Sequence, residues 1–289
     1  MLARSIASPK PLQSRIKTLT PLTILQSPSP NFDERTRPIR LIVLHYTGMQ
    51  SEQSALRILT DPAPTRSAYQ DDLPRTPQNT ESIPESMSRV SSHYLALQDG
   101  TIHQLVDESK RAWHAGKGFW DGETDVNSAS IGIEIANGGH DFGLPEFAES
   151  QIVAVMQLVK HILQRHGLDK HHVIGHSDVA PARKPDPGEK FPWKRFAEAG
   201  LSIWPAPALE DGDQRPLFDE ADQMDHGIAA VQTGLDTIGY GIPVNGRLDA
   251  HTRAVLTAFQ RRFRPNKVDG MIDIETKSLV GRVASILRP

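Results

Sequence analysis

The chain has 289 residues, 38% of them hydrophobic and 23% charged, with a formal net charge of -3. That is the composition of a soluble globular protein, and the length points to two domains. The nearly balanced charge gives no electrostatic reason to expect nucleic acid or an anionic membrane as a partner, and no apolar run is long enough to span a bilayer.

Cysteine is absent, which excludes disulfides and thiolate metal ligands. The first 30 residues carry Arg4, Lys10, Arg15 and Lys17, but Ser, Pro and Lys interrupt every apolar run before a secretory h-region forms. The expected compartment is therefore the cytoplasm, with the periplasm or cell envelope as the alternative.

From Met1 to Arg37 the composition is polar and proline-rich and predicts an extended lead-in. Ile39 to Leu44 is a nearly continuous aliphatic run, the pattern of a strand buried on both faces, and His45 stands at its C-terminal end. Ends of that kind are where open α/β sheets place their chemistry. Ser51 to Leu59 reads as a short capped helix, and residues 61 to 88 as a proline-punctuated loop. Val90 to Leu97 and Thr101 to Val106 read as strands joined by the Asp99-Gly100 hairpin signal.

Ile131, Ile133 and Ile135 alternate with Gly132, Glu134 and Ala136, so a strand there presents isoleucines on one face and Glu134 on the other. Glu134 has only small neighbours on its own face, which leaves room above its carboxylate. Ile152, Val155, Met156, Val159 and Leu163 recur at helical steps up to Gly167, a residue suited to a C-cap. Val173-Ile174 then forms a short strand ahead of His176. Strands alternating with helices define an α/β class.

After Pro207 an acidic, proline-punctuated stretch reads as a linker, and a helical unit begins near Pro216. Ile228, Val231, Leu235 and Ile238 form one stripe, and Val255, Phe259 and Phe263 another. The phrase Gly-x-apolar-Asp-x-x-Thr occurs at 246–252 and again at 270–276. Each Asp is a fitting N-cap, so two helices are entered by the same turn.

The chemistry concentrates in Gly175 to Gly188, where Pro181, Pro185 and Pro187 stiffen a loop carrying His176, Lys184 and Asp186. Taken alone it reads as easily as a surface loop. Joined with His45 it gives two imidazoles and a carboxylate, the donor set of a catalytic zinc with one open position. Glu134 is then the candidate general base, and Lys184 the candidate stabiliser of an oxyanion. Trp113, His114 and Ala115, in a Gly-rich loop, and Asn137 are candidates for substrate binding. His93 is either a further substrate contact or a core residue. His161, His166, His171 and His172 read as surface histidines. No His-Glu-x-x-His helix, Gly-x-Ser-x-Gly elbow, phosphate-binding loop or cysteine nucleophile offers a competing chemistry.

Ser29 to Glu34, Leu44-His-Tyr-Thr-Gly48, Ser92-His-Tyr-Leu95, Ala112-Trp-His-Ala-Gly116, Ile131-Gly-Ile-Glu134, Gly175-His-Ser-Asp178 and Lys184-Pro-Asp-Pro-Gly188 together resemble the zinc-dependent N-acetylmuramoyl-L-alanine amidases of the AmpD/AmiD type. The resemblance runs from about residue 25 to 205. It implies a central mixed β-sheet flanked by helices, as in peptidoglycan recognition proteins, with zinc on His45, His176 and Asp186 and catalysis by Glu134 and Lys184. The implied reaction cleaves the amide between N-acetylmuramic acid and L-alanine in peptidoglycan or muropeptides. Residues from about 216 onward resemble a small three-helix peptidoglycan-binding domain.

The expected organisation is thus a lead-in (1–24), a catalytic domain (25–205), a linker (206–215) and a helical domain (216–289). Removal of 210 to 289 is expected to spare cleavage of soluble muropeptides. The competing reading is a non-catalytic peptidoglycan receptor on the same fold, against which stands the full complement of ligands and catalytic candidates. Two departures from the resemblance stand out: the 61–88 loop is longer than the family pattern, and a wall-binding domain sits awkwardly with the cytoplasm.

Overall fold

The computed structural model describes residues 22–71, 86–206, 215–218 and 224–288. Most of the expected lead-in and linker, and the middle of the 61–88 loop, lie outside these residues. The centre is a mixed sheet in the order β1-β5-β4-β7-β3-β8, formed by β1 (Ile24–Gln26), β3 (Leu41–Tyr46), β4 (Tyr94–Ala96), β5 (Ile102–Gln104), β7 (Ser130–Ile135) and β8 (Val173–Gly175). Only the β4–β5 hairpin is antiparallel within it. Beside the sheet β2 (Phe32–Glu34) pairs with β6 (Lys110–Ala112) in an antiparallel ribbon. The segment before Arg37 is therefore more regular than its composition predicts. Its backbone polar groups find partners in strands 76 to 80 residues further on, a pairing no local pattern announces.

The helices α1 (Glu52–Thr60), α2 (Val126–Ala129) and α5 (Trp193–Glu198) are short, whereas the long helix α3 (Glu149–His166) forms where the periodicity placed it, and Gly167 ends it with a left-handed φ of 63°. Its Ile152, Val155, Leu158, Val159 and Ile162 pack with Ile42, Leu44, Ile131, Ile133 and Ile135 in one apolar cluster. The alternate residues of β3, Leu41 and Val43, belong to a different cluster, shared with the C-terminal helices α6 (His226–Ile238), α7 (Ala250–Phe263) and α8 (Ile274–Leu287). This accounts for the continuous apolar run at 39 to 44: β3 is sandwiched, and the second layer comes from the C-terminal unit. A chain cut at 210 would uncover Leu41, Val43, Ile174 and Val179, so survival of activity after truncation no longer follows from the layout.

Inside the C-terminal unit the repeated phrase does what its chemistry predicts. Asp249 and Asp273 accept the backbone N–H of Thr252 and Thr276, both at 2.8 Å. Each turn is also held by a buried glutamine from the preceding helix. Gln232 Oε1 accepts from the N–H of Asn245 and Gly246, while Gln260 Oε1 accepts from Asp269 and Gly270. Gly246 and Gly270 have φ of 69° and 68°, a conformation that side chains strain, which explains the glycine that opens each phrase.

Candidate metal centre and active-site groove

Parallel pairing of β3 and β7 sets His45 directly beside Glu134. Both project from the sheet face opposite α3, near the C-terminal ends of their strands. On that same face Gly132 leaves space for the imidazole of His114, which lies where a side chain would otherwise be: a Cβ on Gly132 would stand 2.4 Å from its ring. Next to β3, strand β8 runs straight into the single-turn helix α4 (His176–Val179), so His176 is fixed at its first residue. The Ser177 N–H donates to the Asp186 carbonyl at 2.8 Å and ties the far end of the proline-rich loop to that turn.

The result is a convergence of ligand atoms. His45 Nδ1 lies 2.9 Å from His176 Nδ1, and Asp186 Oδ2 lies 3.1 Å and 2.9 Å from the two nitrogens. All three residues are buried, and the group has the spacing to hold a metal ion.

Surrounding hydrogen bonds fix which nitrogens carry protons. The Ala115 carbonyl can only accept, so His176 Nε2–H donates to it at 3.0 Å. The Ser130 hydroxyl donates to the Val126 carbonyl and accepts from His114 Nε2–H, and His114 Nδ1 in turn accepts from His45 Nε2–H at 3.0 Å. Both Nδ1 atoms are left bare and aimed at each other and at a carboxylate. Three lone pairs meeting in a buried site fit a cation, and hydrogen bonds to the outer nitrogens are how proteins orient imidazole ligands. Burial, followed by the neighbouring His176, lowers the His45 pKa to about 4, and burial also takes His114 well down. The His45 imidazole is thus neutral, the form that binds metal.

Glu134 opens onto the groove through part of its side chain, but its Oε2 is buried and has no hydrogen-bond partner. Burial raises its pKa well above the carboxylate range; the charge of Asp186 adds to that, and Lys184 opposes it. The groove itself measures about 450 Å³, and Glu134, Lys184, His176, Asp186, Trp113 and His114 all line it. Apolar side chains of Met49, Leu59 and Val90 form another part of its wall.

Other candidates sit behind the wall. His93 is fully buried and is the core residue that its strand position allowed: its Nδ1 accepts from the Gly132 N–H, and its Nε2 faces Arg35 and the Lys110 carbonyl. Ala115 is buried and contributes its carbonyl, and Asn137 spends its amide on the Pro145 carbonyl and the Gly139 N–H. Neither lines the groove. His166 is no free surface histidine, since its Nε2 lies 2.7 Å from Glu108.

Two features escaped the sequence. Tyr46, whose hydroxyl contacts His140 Nδ1 at 2.9 Å, lines the groove and begins a chain that continues from His140 Nε2 to Glu189. Asp178 is wholly buried behind His176. Tyr46 and Asp178 both fall within motifs read for their histidines, but only distant partners give them a role.

Gly132→Ala is expected to displace His114 and release His45 from its tautomer. The affinity of the site for a metal ion should fall about 10- to 100-fold, the usual effect of disturbing a ligand's outer partner, as read by competition with a chromogenic chelator.

Bare imidazole nitrogens and a carboxylate that could hold a metal ion, with a glutamate beside them in one groove, are the constellation that metal-dependent hydrolases use. The family described as N-acetylmuramoyl-L-alanine amidase matches residues 35–189, and a peptidoglycan binding domain family matches 225–279. The N-acetylmuramoyl-L-alanine amidase AmiD of Escherichia coli (strain K12) is 34% identical over 255 residues, 83% of this chain and 80% of the relative. The 1,6-anhydro-N-acetylmuramyl-L-alanine amidase AmpD of Haemophilus influenzae is 32% identical over 178 residues, covering 59% of this chain and 89% of the relative. Among solved structures, the E. coli AmiD complex with anhydro-N-acetylmuramic acid-L-Ala-D-gamma-Glu-L-Lys superposes with a TM-score of 0.65 at 30% identity, over 86% of this chain and 89% of that one. AmpDh3 from Pseudomonas aeruginosa in complex with anhydromuramic pentapeptide gives 0.65 at 28% identity, over 99% of both chains. The chain belongs to the N-acetylmuramoyl-L-alanine amidase family, and it is an amidase with a mixed central sheet, flanking helices and a C-terminal helical region.

Proposed function

We propose that the protein is a zinc enzyme that hydrolyses the amide between the lactyl group of N-acetylmuramic acid and the L-alanine of the stem peptide. The observation that carries this reading is the meeting of His45 Nδ1, His176 Nδ1 and Asp186 Oδ2 within 3.1 Å of one another, with Glu134 beside them in the same groove. Zinc bound there supplies Lewis acidity toward the scissile carbonyl and lowers the pKa of water to about 7.

Glu134 takes the proton of the attacking water on the part of its carboxylate that opens onto the groove and passes it to the departing alanine nitrogen. Its raised pKa suits both halves of that transfer, because a stronger base accepts the proton and a nearby neutral acid returns it. Lys184, half-buried on the groove wall, directs its ammonium at the charge developing on the carbonyl oxygen. Trp113, His114 and the apolar wall around Met49 exclude water from one side of the substrate. Muropeptide is the proposed substrate class, since two structural relatives hold anhydromuramic peptides.

The functional layout proposed is a catalytic unit at 25–205 and a wall-binding unit at 216–289. No helix among the described residues is long and apolar enough to cross a membrane. A receptor without catalysis would not require the full donor set and the unpartnered glutamate.

The test measures release of stem peptide from purified 1,6-anhydro-muropeptide and from intact sacculi, with and without a chelator. Release should stop in the chelated protein and return with added zinc. Undiminished release by protein shown to be metal-free would sink the mechanism, and the ratio of the two rates assigns fragment or polymer.

A further inference from the structure

The C-terminal unit does more in this fold than lie beside the catalytic one. Asp178, two residues after His176 in α4, is fully buried, and both its carboxylate oxygens are occupied. Oδ2 accepts from the Gly175 N–H at 2.8 Å, which closes the turn that begins with the ligand His176. The other partners come from the C-terminal helices. Arg262 of α7 donates Nη1 to Asp178 Oδ2 at 2.8 Å, and Tyr240, just past α6, donates its hydroxyl to Oδ1 at 2.5 Å. The same guanidinium gives Nη2 to the Val173 carbonyl at 2.8 Å, at the start of β8, and stacks 4.6 Å from the Trp193 ring.

Arg262 thus spans the strand–turn unit that delivers His176, holding β8 at one end and α4 at the other. Its neighbour Arg261 faces the far shoulder of the ligand loop, with Nε 3.8 Å from Glu189, three residues after Asp186. Both ends of the 176–186 ligand segment are therefore held by one turn of α7.

We propose that Arg262 and Tyr240 are positioning residues of the metal centre: by holding the buried carboxylate of Asp178, the C-terminal unit sets the orientation of His176 and hence the affinity for zinc. Part of the job of that unit is therefore inside the catalytic fold. The inference rests on the proposed zinc site, and its physics is that of outer partners to ligands. Removing one partner of a buried, hydrogen-bonded charge leaves the other uncompensated, and the turn carrying His176 must shift to resolvate it.

The test uses the full chain with Arg262→Ala, Arg262→Lys and Tyr240→Phe, and with Val280→Ala in α8 as a control that loosens the C-terminal core away from the loop. Zinc affinity is read by chelator competition, geometry by the visible spectrum of the cobalt-substituted protein, and stability by thermal melting. Arg262→Ala should weaken zinc binding about 10- to 100-fold and alter the cobalt spectrum, with Arg262→Lys recovering part of the loss. Tyr240→Phe, which keeps the ring and loses one hydrogen bond, should lower affinity several-fold. Val280→Ala should lower the melting temperature and leave both metal readouts unchanged.

Wild-type affinity and spectrum in Tyr240→Phe, together with either no change in Arg262→Ala or its failure to fold, would overturn the proposal. So would a Val280→Ala loss of affinity as large as that of the arginine variants, since general loosening would then explain them. Absence of zinc binding by the wild type would defeat the zinc reading itself, a separate outcome.

Discussion

Asp186→Ala should leave a protein that no longer retains zinc through gel filtration and releases stem peptide no faster than chelated wild type. The physical reason is charge. An imidazole donor brings no negative charge, so Asp186 is the single anionic donor of the set, and its Oδ2 is the atom common to both imidazole contacts. Without it the cation meets buried neutral groups with no anionic side chain of the set to offset its charge. Loss of Lewis acidity worth several kcal/mol corresponds to a rate lower by roughly 1,000-fold or more. Metal analysis and a stem-peptide release assay on the same preparation check both halves. Zinc retained at wild-type affinity would show that the ligand set is misassigned.

Glu134→Gln should separate binding from turnover. Gln keeps the shape of the side chain but cannot take a proton, so kcat should fall roughly 100- to 10,000-fold while zinc content and KM for muropeptide stay close to wild type. Equal loss in KM and kcat would instead make Glu134 a substrate contact. A second signature concerns stability of the metal-free form. Burial raises the pKa of Glu134 in the folded protein. The protonated carboxyl is thus favoured in the fold, and ionising it as pH rises destabilises the native state. Metal-free Glu134→Gln should therefore melt above metal-free wild type at pH 7. That difference should vanish below about pH 4.3, where the group is protonated folded or unfolded. A difference that grows toward acid pH would contradict the assignment.

Much of this centre was legible because its chemistry follows local rules. The alternation around Glu134 places it on the face away from the isoleucines, and the apolar run before His45 demands a buried strand. Both statements need only the two-residue period of a β-strand. The prolines around Asp186 and the Asp caps of α7 and α8 are likewise read within a few residues of sequence. His93, Ala115 and Asn137 resisted such reading. Their motif positions sit next to the groove, but whether a residue faces substrate or braces the wall depends on what packs behind it. In this fold those partners are Gly132, His176 and Pro145, up to 61 residues away.

The sequence by itself determined the types of the longer elements, the Asp caps of α7 and α8, and the chemistry that His45, His176, Asp186 and Glu134 can offer. Each of these depends on periodicity or on the intrinsic preferences of side chains. Tertiary structure alone decided that β3 and β7 are neighbours in register, which sets His45 beside Glu134. It alone decided that the second layer over β3 is the C-terminal unit, and that Arg262 and Tyr240 reach Asp178 across 84 and 62 residues of chain. Apolar periodicity announces that a face must be covered. It carries no address for the cover, because burial is non-directional and only the packed chain selects the partner.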